Sequence, residues 1–230
     1  MKKYEMTANT KMFFGRKLYQ IRALVNFEDI KAGDLGGYIE KEENLSHNGY
    51  AWVLNNACVF GNALVYGNAR VFDNVLIYGN VEVYGNARIY GNAFVFDNAQ
   101  IYNNALVHGG AWIFNNALVY GDAEVYGDAM IYDNAEVYGD ARVCGNAKVC
   151  CNALVYGDAD YICFKGFGSE NRDTTMFRTK NGDVFVRCGC FAGDLKEFLE
   201  KVKETHGSSI YAKEYLACVE VAKIHFQIKD

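Results

Sequence analysis

Three groups of residues in this 230-residue chain carry side chains able to bind or transform something. The first is the stretch Gly166-Phe167-Gly168-Ser169-Glu170-Asn171-Arg172-Asp173-Thr174-Thr175. Small residues there, with Ser169, Asn171, Arg172 and Thr174, can form a nest of donors for phosphate or another anion. Arg178, Lys180 and Arg187 follow in the adjacent hairpin, and His206 can join such a site. The plain alternative is a polar connection with ordinary turn chemistry. His206 also suits a helix C-terminus, where the dipole favours a cation. The second group is His108, followed by Gly109-Gly110. A histidine base needs a bound hydroxyl or amine and an orienting partner; the other reading is simply an altered corner. The third group is cysteine: Cys188-Gly189-Cys190, and Cys144, Cys150, Cys151 and Cys163. Zinc knuckles place two or more residues between paired cysteines. Cys-Gly-Cys is a poor match, so the cysteines read as small buried hydrophobes and no metal or cofactor is expected.

These residues hang on a repeat. From about Ala51 to Asp160 one six-residue phrase recurs, as in Asn62-Ala63-Leu64-Val65-Tyr66-Gly67. A fixed short period of this kind marks a solenoid, with a Val or Ile (Val53, Val59, Val65 and onward to Val155) pointing inward. The residue two before it is Ala, or Val at positions 75 and 81, and must be small where the walls of a narrow prism approach. Gly, Asn or Asp fill the two residues between strands, and these types tolerate the left-handed backbone of a corner. Three hexapeptides make an 18-residue coil, giving about six coils and a rod on the order of 30 Å long at about 4.8 Å per coil.

Sorted by 18, the outward positions form three unlike faces. One column is tyrosine throughout: Tyr66, Tyr84, Tyr102, Tyr120, Tyr138 and Tyr156. It reads as a stacked ladder or as a surface for sugar, base or peptide. A second face pairs Phe60, Tyr78, Phe96, Phe114, Tyr132 and Cys150 with Cys58, Leu76, Phe94, Trp112, Met130 and Lys148. Cross-strand stacking explains part of its aromatic content. It does not explain Leu76, Phe94, Trp112 and Met130, and a contiguous apolar patch marks an interface. That makes Leu76, Phe94, Phe96, Trp112, Phe114, Met130 and Tyr132 interface candidates, for a symmetric oligomer, for the C-terminal segment or for a partner. The third face, with Leu54, Phe72, Tyr90, His108, Tyr126 and Cys144, is mixed.

Residues 1–50 read as a head, 51–160 as the rod and 161–230 as a tail. In the head, Lys3–Thr7 and Lys17–Val25 are expected strands joined around Phe14-Gly15-Arg16. Gly33, Gly36 and Gly37 suggest tight turns with positive φ. Stepping back by sixes from Ala51 starts an imperfect capping coil near Tyr38. The tail reads as a strand over 161–167, a hairpin around Asn181-Gly182, and two helices, the first capped by Asp194 and the second carrying Ala212, Tyr215, Leu216, Val219 and Ala222 on one side.

The net charge of −5 is uneven: residues 51–160 hold eleven acidic and four basic side chains. A nucleic-acid-binding rod needs a basic stripe, so nucleic acid is not an expected partner. No apolar run reaches membrane-spanning length, and Tyr4–Thr10 is polar where a signal peptide would turn hydrophobic. A cytoplasmic location with reduced thiols follows as the expectation.

The repeat resembles the left-handed β-helix, hexapeptide-repeat superfamily. More narrowly, Ile30-Lys31-Ala32-Gly33 through Gly36-Gly37-Tyr38-Ile39-Glu40, then Asn44-Leu45-Ser46 and Trp52-Val53, looks like the opening of phage and prophage members, over about residues 18–165. Gly168-Ser169, Asn171-Arg172, Cys188-Gly189-Cys190-Phe191 and Thr205-His206-Gly207 look like a tail module of phage proteins with no assigned activity, over about residues 161–226. The resemblance implies a homotrimer about the rod axis. Some members are acyltransferases that hold coenzyme A between rods and use a histidine, for which His108 is the nearest match; they usually extrude a loop from a coil, and this repeat has no insertion. The expectation is therefore a mainly β protein, a left-handed parallel β-helix with a β cap and a small α+β tail, that binds a small anion (a nucleotide signal suits a phage setting) or a host protein. The alternatives are a hexapeptide acyltransferase and a purely structural spacer.

Overall fold

A small residue followed two places later by Val or Ile leaves room for only a two-residue rung in each hexapeptide. Eighteen rungs run from Trp52–Val53 to Leu154–Val155 in the computed structural model, which describes residues 2–228. Met1 and the last two residues of the 161–230 span lie outside the described residues. Each rung pairs in parallel with the rung one coil away, so that Phe94 sits between Leu76 and Trp112, and Val95 between Ile77 and Ile113. The first partial coil is made by β3 (Leu35–Ile39), which pairs with Cys58–Val59, and by a bridge from Leu45 to Val65. The result is a parallel β-solenoid of about seven turns.

The inward Val and Ile positions and the Ala positions before them, including Val75 and Val81, are all buried, at 0–1% exposure. The first residue of each corner adopts the left-handed region, from Asn55 (φ 55°) through Gly67 (φ 68°) and Asp97 (φ 60°) to Cys151 (φ 61°). The second corner residues form ladders of their own. Along one edge Asn62, Asn80, Asn98 and Asn116 each donate Nδ2 to the Oδ1 of the Asn one coil on, ending at Asn134, at 2.9–3.2 Å. Side-chain amides thereby repeat the backbone ladder at the bends, where strand pairing stops.

The head begins with β1 (Tyr4–Phe13) and β2 (Arg16–Ala23), longer at the turn than the sequence suggests because Phe14 and Gly15 both take positive φ and close a tight hairpin. β2 pairs with β3, so the head continues one of the three rod sheets. Gly33 is a positive-φ turn as expected, but Gly36 and Gly37 are not: they lie within β3, packed directly against the first coil.

Head and tail satisfy the two ends of the rod with opposite chemistry. At the corners and the edges of the rungs, coil-to-coil bonds run from an N–H to a carbonyl in the following coil, as from Trp52 to Ala69 (3.0 Å) and from Asn56 to Asp73 (2.9 Å). The first coil therefore turns carbonyls outward, and the head meets them with donors. Lys3 Nζ donates to Ala51 O (2.8 Å) and Gly49 O (3.3 Å). Asn44 Nδ2 donates to Ala63 O (2.8 Å) and Gly61 O (3.2 Å), and Tyr4 Oη to Glu42 O and Leu45 O (both 2.8 Å). The last coil turns N–H groups outward, and acceptors meet them: Asp158 for Arg142 N (2.9 Å), Thr175 for Lys148 N (3.0 Å) and Asp160 for Tyr156 N (3.0 Å). Exposed ladder groups invite pairing with other chains, and both ends are closed against it.

Lys3 titrates abnormally because of this position. Burial first, and the nearby Arg70 charge second, lower its pKa from 10.5 to about 8. The folded chain thus holds that proton less tightly than the unfolded one. Between about pH 8 and 10.5 the unfolded state carries more protons, so this residue's contribution to stability rises with pH and is lost as pH falls through 8. Relative to Lys3→Met, the native chain is expected to gain about 2 kcal/mol between pH 7.5 and 9.5 in urea unfolding. An equal change in both proteins would contradict this.

The tail comprises strands β4 (Tyr161–Phe167), β5 (Arg172–Arg178), β6 (Val184–Cys188) and β7 (Phe191–Asp194) in one antiparallel sheet, then helices α1 (Leu195–His206) and α2 (Ile210–His225). Asp194 caps α1 through a reciprocal pair with Glu197 (2.8 and 2.9 Å). Tyr215, Val219 and Ala222 of α2 are buried as expected, but Leu216 is 46% exposed and Cys218 is buried instead. Phe177 on β5 is fully buried in the rod's core, while Met176 beside it faces the helices, which fits the alternation of a strand. Among the described residues no helix is long and apolar enough to cross a membrane.

Candidate functional site

The turn between β4 and β5 is shaped by glycine and asparagine. Gly168 (φ 73°) and Asn171 (φ 49°) both take the left-handed region, and Asn171 N closes the turn on Gly168 O at 3.2 Å. A side chain at Gly168 would collide with the Tyr215 hydroxyl, which presses on the turn from α2. Arg172 opens β5, and its guanidinium lies against Gly189 in the β6–β7 turn, where a Cβ would come within 2.4 Å of it. Glycine at 189 is therefore what lets Arg172 lie flat.

These pieces meet α1 to form a cleft of about 310 Å³ lined by Ser169, Glu170, Arg172, Cys190, Lys201 and His206, with Tyr215 and Phe198 in its floor. The volume is at the small end of the range for ligand sites. Arg172, Lys201 and His206 line the cleft together with one carboxylate, Glu170. Lys201 also pairs with Glu204 at 2.8 Å.

Of the anion-site candidates singled out from the sequence, Ser169, Arg172 and His206 share this cleft, which Cys188 and Cys190 also line, and the other anion-site candidates lie elsewhere. Asn171 is exposed in the turn. Thr174 is fully buried and donates its hydroxyl to Cys188 Sγ at 3.1 Å. Arg178, at the far end of β5, donates to Phe226 O (2.5 Å) and pairs with Asp160 (3.5 Å). Arg187 points toward the rod, 5.9 Å from the centre of the Tyr132 ring. Lys201 was missed by sequence reasoning: it comes from a helix, and only the packing of α1 on the sheet brings it into the cleft with Arg172. Cys188 and Cys190 part company, Cys188 being buried and Cys190 exposed.

His108 lies in a stack. Its ring sits 4.6 Å from Tyr90 and 5.2 Å from Tyr126, both nearly parallel, and Nε2 meets Glu124 Oε1 at 3.0 Å. Both faces and one edge of the imidazole are thus occupied by neighbours from its own face of the rod. Gly110 interrupts the Asn ladder of that edge, and a Cβ there would lie 2.6 Å from Asp128 Oδ1.

The tyrosine column is a ladder in fact: from Tyr66 to Tyr138 successive rings are 4.8–5.0 Å apart and close to parallel. The coil repeat imposes that spacing, and offset rings at that distance attract. Tyr66 and Tyr120 donate to Glu82 (2.8 Å) and Glu136 (3.1 Å) in the next coil.

The apolar face is covered at both ends and open in the middle. At one end the hairpin tip brings Phe13 and Phe14 against Phe60 and Tyr78. At the other, Thr175 and Arg187 of the tail reach Lys148 and Tyr132. Between them Phe94, Phe96, Phe114 and Met130 are half-buried and Trp112 is 39% exposed. Phe14, 73% exposed, extends this window at the hairpin tip.

Comparison with known proteins adds to the rod alone. A family model described as the YdcK Beta solenoid repeat matches residues 99–113, which is most of one coil. No curated protein matches the sequence. The chain is a β-solenoid repeat protein, a scaffold of a kind suited to structural or binding roles.

Proposed function

We propose that this chain is a non-enzymatic assembly protein whose rod associates with copies of itself, as a homotrimer, through the window formed by Phe94, Phe96, Trp112, Phe114 and Met130. The observation that carries the reading is the placement of that window. Head and tail cover the apolar face where they can reach it and leave the central coils in water, where contiguous aromatic surface is costly. Leu76 and Tyr132, at its borders, complete the contact. The resemblance to phage and prophage hexapeptide-repeat proteins fits the same reading and supports a cytoplasmic setting. Light scattering and sedimentation of the purified chain are expected to give three times the chain mass. Trp112→Lys is expected to give a folded monomer, since it adds charge at a position that packs no core. A native chain that sediments as a monomer at high concentration would remove the proposal.

A second reading concerns the tail. The convergence of Arg172, Lys201 and His206 on one cleft favours a small anionic ligand held in each subunit, with the rod presenting it. Ligand binding to the folded state raises the melting temperature by mass action. Inorganic phosphate, nucleotides or cyclic dinucleotides are expected to raise it, and Arg172→Ala to abolish the rise. A rise with acyl-CoA that Arg172→Ala leaves unchanged would point instead to the acyltransferase alternative.

A further inference from the structure

The last coil departs from the repeat at two adjacent positions, and both become cysteine. In the column Phe60, Tyr78, Phe96, Phe114, Tyr132 the sixth member is Cys150. In the corner column Gly61, Gly79, Asp97, Asn115, Asp133 the sixth member is Cys151. Every corner before it, from Asn55 to Gly145, starts with Gly, Asn or Asp. Cys151 nevertheless holds φ 61°, a conformation that costs such a residue about 1 kcal/mol. The rod thus keeps an unfavourable residue at a site where its own repeat offers three better ones.

What that residue does is bring two thiols together. Cys150 Sγ and Cys151 Sγ are 3.2 Å apart. One coil earlier Asp133 places a carboxylate oxygen so that all three ligand atoms lie within 4.8 Å of one another. The carboxylate is held in place by Asn115 Nδ2 (3.0 Å) and by the Cys151 amide (3.3 Å). Cys150 is buried against the tail. Cys151 and Asp133 are half-buried and line an open groove along the Asn edge, with Asn134 and Asn152 beside them.

We propose that Cys150, Cys151 and Asp133 form a site for one soft divalent cation of the zinc and cadmium class. Two thiolates and a carboxylate match that class, whereas magnesium and calcium require oxygen ligands throughout. At metal–sulfur bonds of about 2.3 Å a tetrahedral centre wants its sulfurs about 3.8 Å apart, so the pair opens by roughly half an ångström. The groove leaves the fourth position to water. Loading replaces two thiol protons with one cation, so two protons leave per ion bound. The cation would tie the fifth coil, through Asp133, to the sixth, through the cysteines, at the seam with the tail. This site is independent of the assembly reading above and of the tail cleft.

The test is a cadmium titration of the full chain under reducing conditions, after a thiol count. Eight free thiols are expected, then a thiolate-to-cadmium ultraviolet band that saturates at one ion per chain, release of two protons and a higher melting temperature. Cys151→Gly restores the residue found at the Gly61 and Gly79 corners, so it is expected to fold at least as stably and to lose the band. Asp133→Asn, the residue type at Asn115, is expected to keep the corner and weaken binding at least about tenfold. A band of native stoichiometry in Cys151→Gly would place the cation on other thiols and overturn the proposal. So would a native chain with eight free thiols and no band, or a count of six showing the pair closed as a disulfide.

Discussion

Asn44→Ala is expected to lower the unfolding free energy by about 3 kcal/mol, or roughly 10 °C in melting temperature for a chain of this size. Asn44 is fully buried under the head. Its Nδ2 serves two carbonyls of the first coil, Ala63 and Gly61, and its Oδ1 accepts from Lys41 N at 3.0 Å. Alanine leaves three backbone groups without these partners, one buried (Ala63 O) and two half-buried, and a buried orphan costs about 1–3 kcal/mol. Asn44→Asp separates this account from simple loss of volume. A carboxylate keeps the Lys41 bond, cannot donate to either carbonyl and sets negative charge against them, so it should be at least as damaging as alanine. Urea unfolding of both variants checks the point. A loss below about 0.5 kcal/mol in Asn44→Ala would mean that the coil end is satisfied in another way.

The second large effect lies one strand away. Gly37→Ala should cost about 3 kcal/mol or prevent folding, since overpacking against backbone cannot be relieved by a rotamer change. A Cβ on Gly37 would sit 2.7 Å from both Ala57 O and Val53 Cγ1, and 3.1 Å from Leu54 O. Gly33→Ala is the matched comparison. Gly33 has φ 97° but open space around it, so its substitution pays only the left-handed strain, about 1 kcal/mol. If thermal melting ranked the two the other way, close approach of β3 to the first coil would not be the reason for glycine at 37.

That contrast shows where the sequence is legible and where it is not. The inward Val and Ile, the small residue before them and the Gly, Asn or Asp corners each follow from local sterics repeated many times, so one coil teaches the rest. Gly36 and Gly37 occur once, and sequence alone does not separate a glycine that turns from one that is pressed flat. The Asn ladder was present in the letters, as Asn62, Asn80, Asn98, Asn116, Asn134 and Asn152, but reading those residues as turn formers accounts for only half of their role. The tail is the harder case. Arg172, Lys201 and His206 converge only after α1 docks on the sheet, whereas Arg178 and Arg187, closer in the chain to the turn, belong to the far end of a strand and to its other face. Cys150 and Cys151 fall between these cases. Their clustering at the rod's end was visible as sequence, but the strained corner and the carboxylate one coil away needed the backbone.

The opposite chemistries of the two rod ends have a consequence for how many copies can join. At the corners and the edges of the rungs, an uncapped carbonyl end and an uncapped N–H end are complementary to each other. Two bare rods would therefore stack head to tail, and that heterologous contact repeats without closing, which is the rule for a filament. Lys3, Tyr4 and Asn44 at one end and Asp158, Asp160 and Thr175 at the other act as terminators of that growth. Weakening either set alone still leaves one blocked end. Losing both would turn a discrete particle into a fibre whose length is set by concentration.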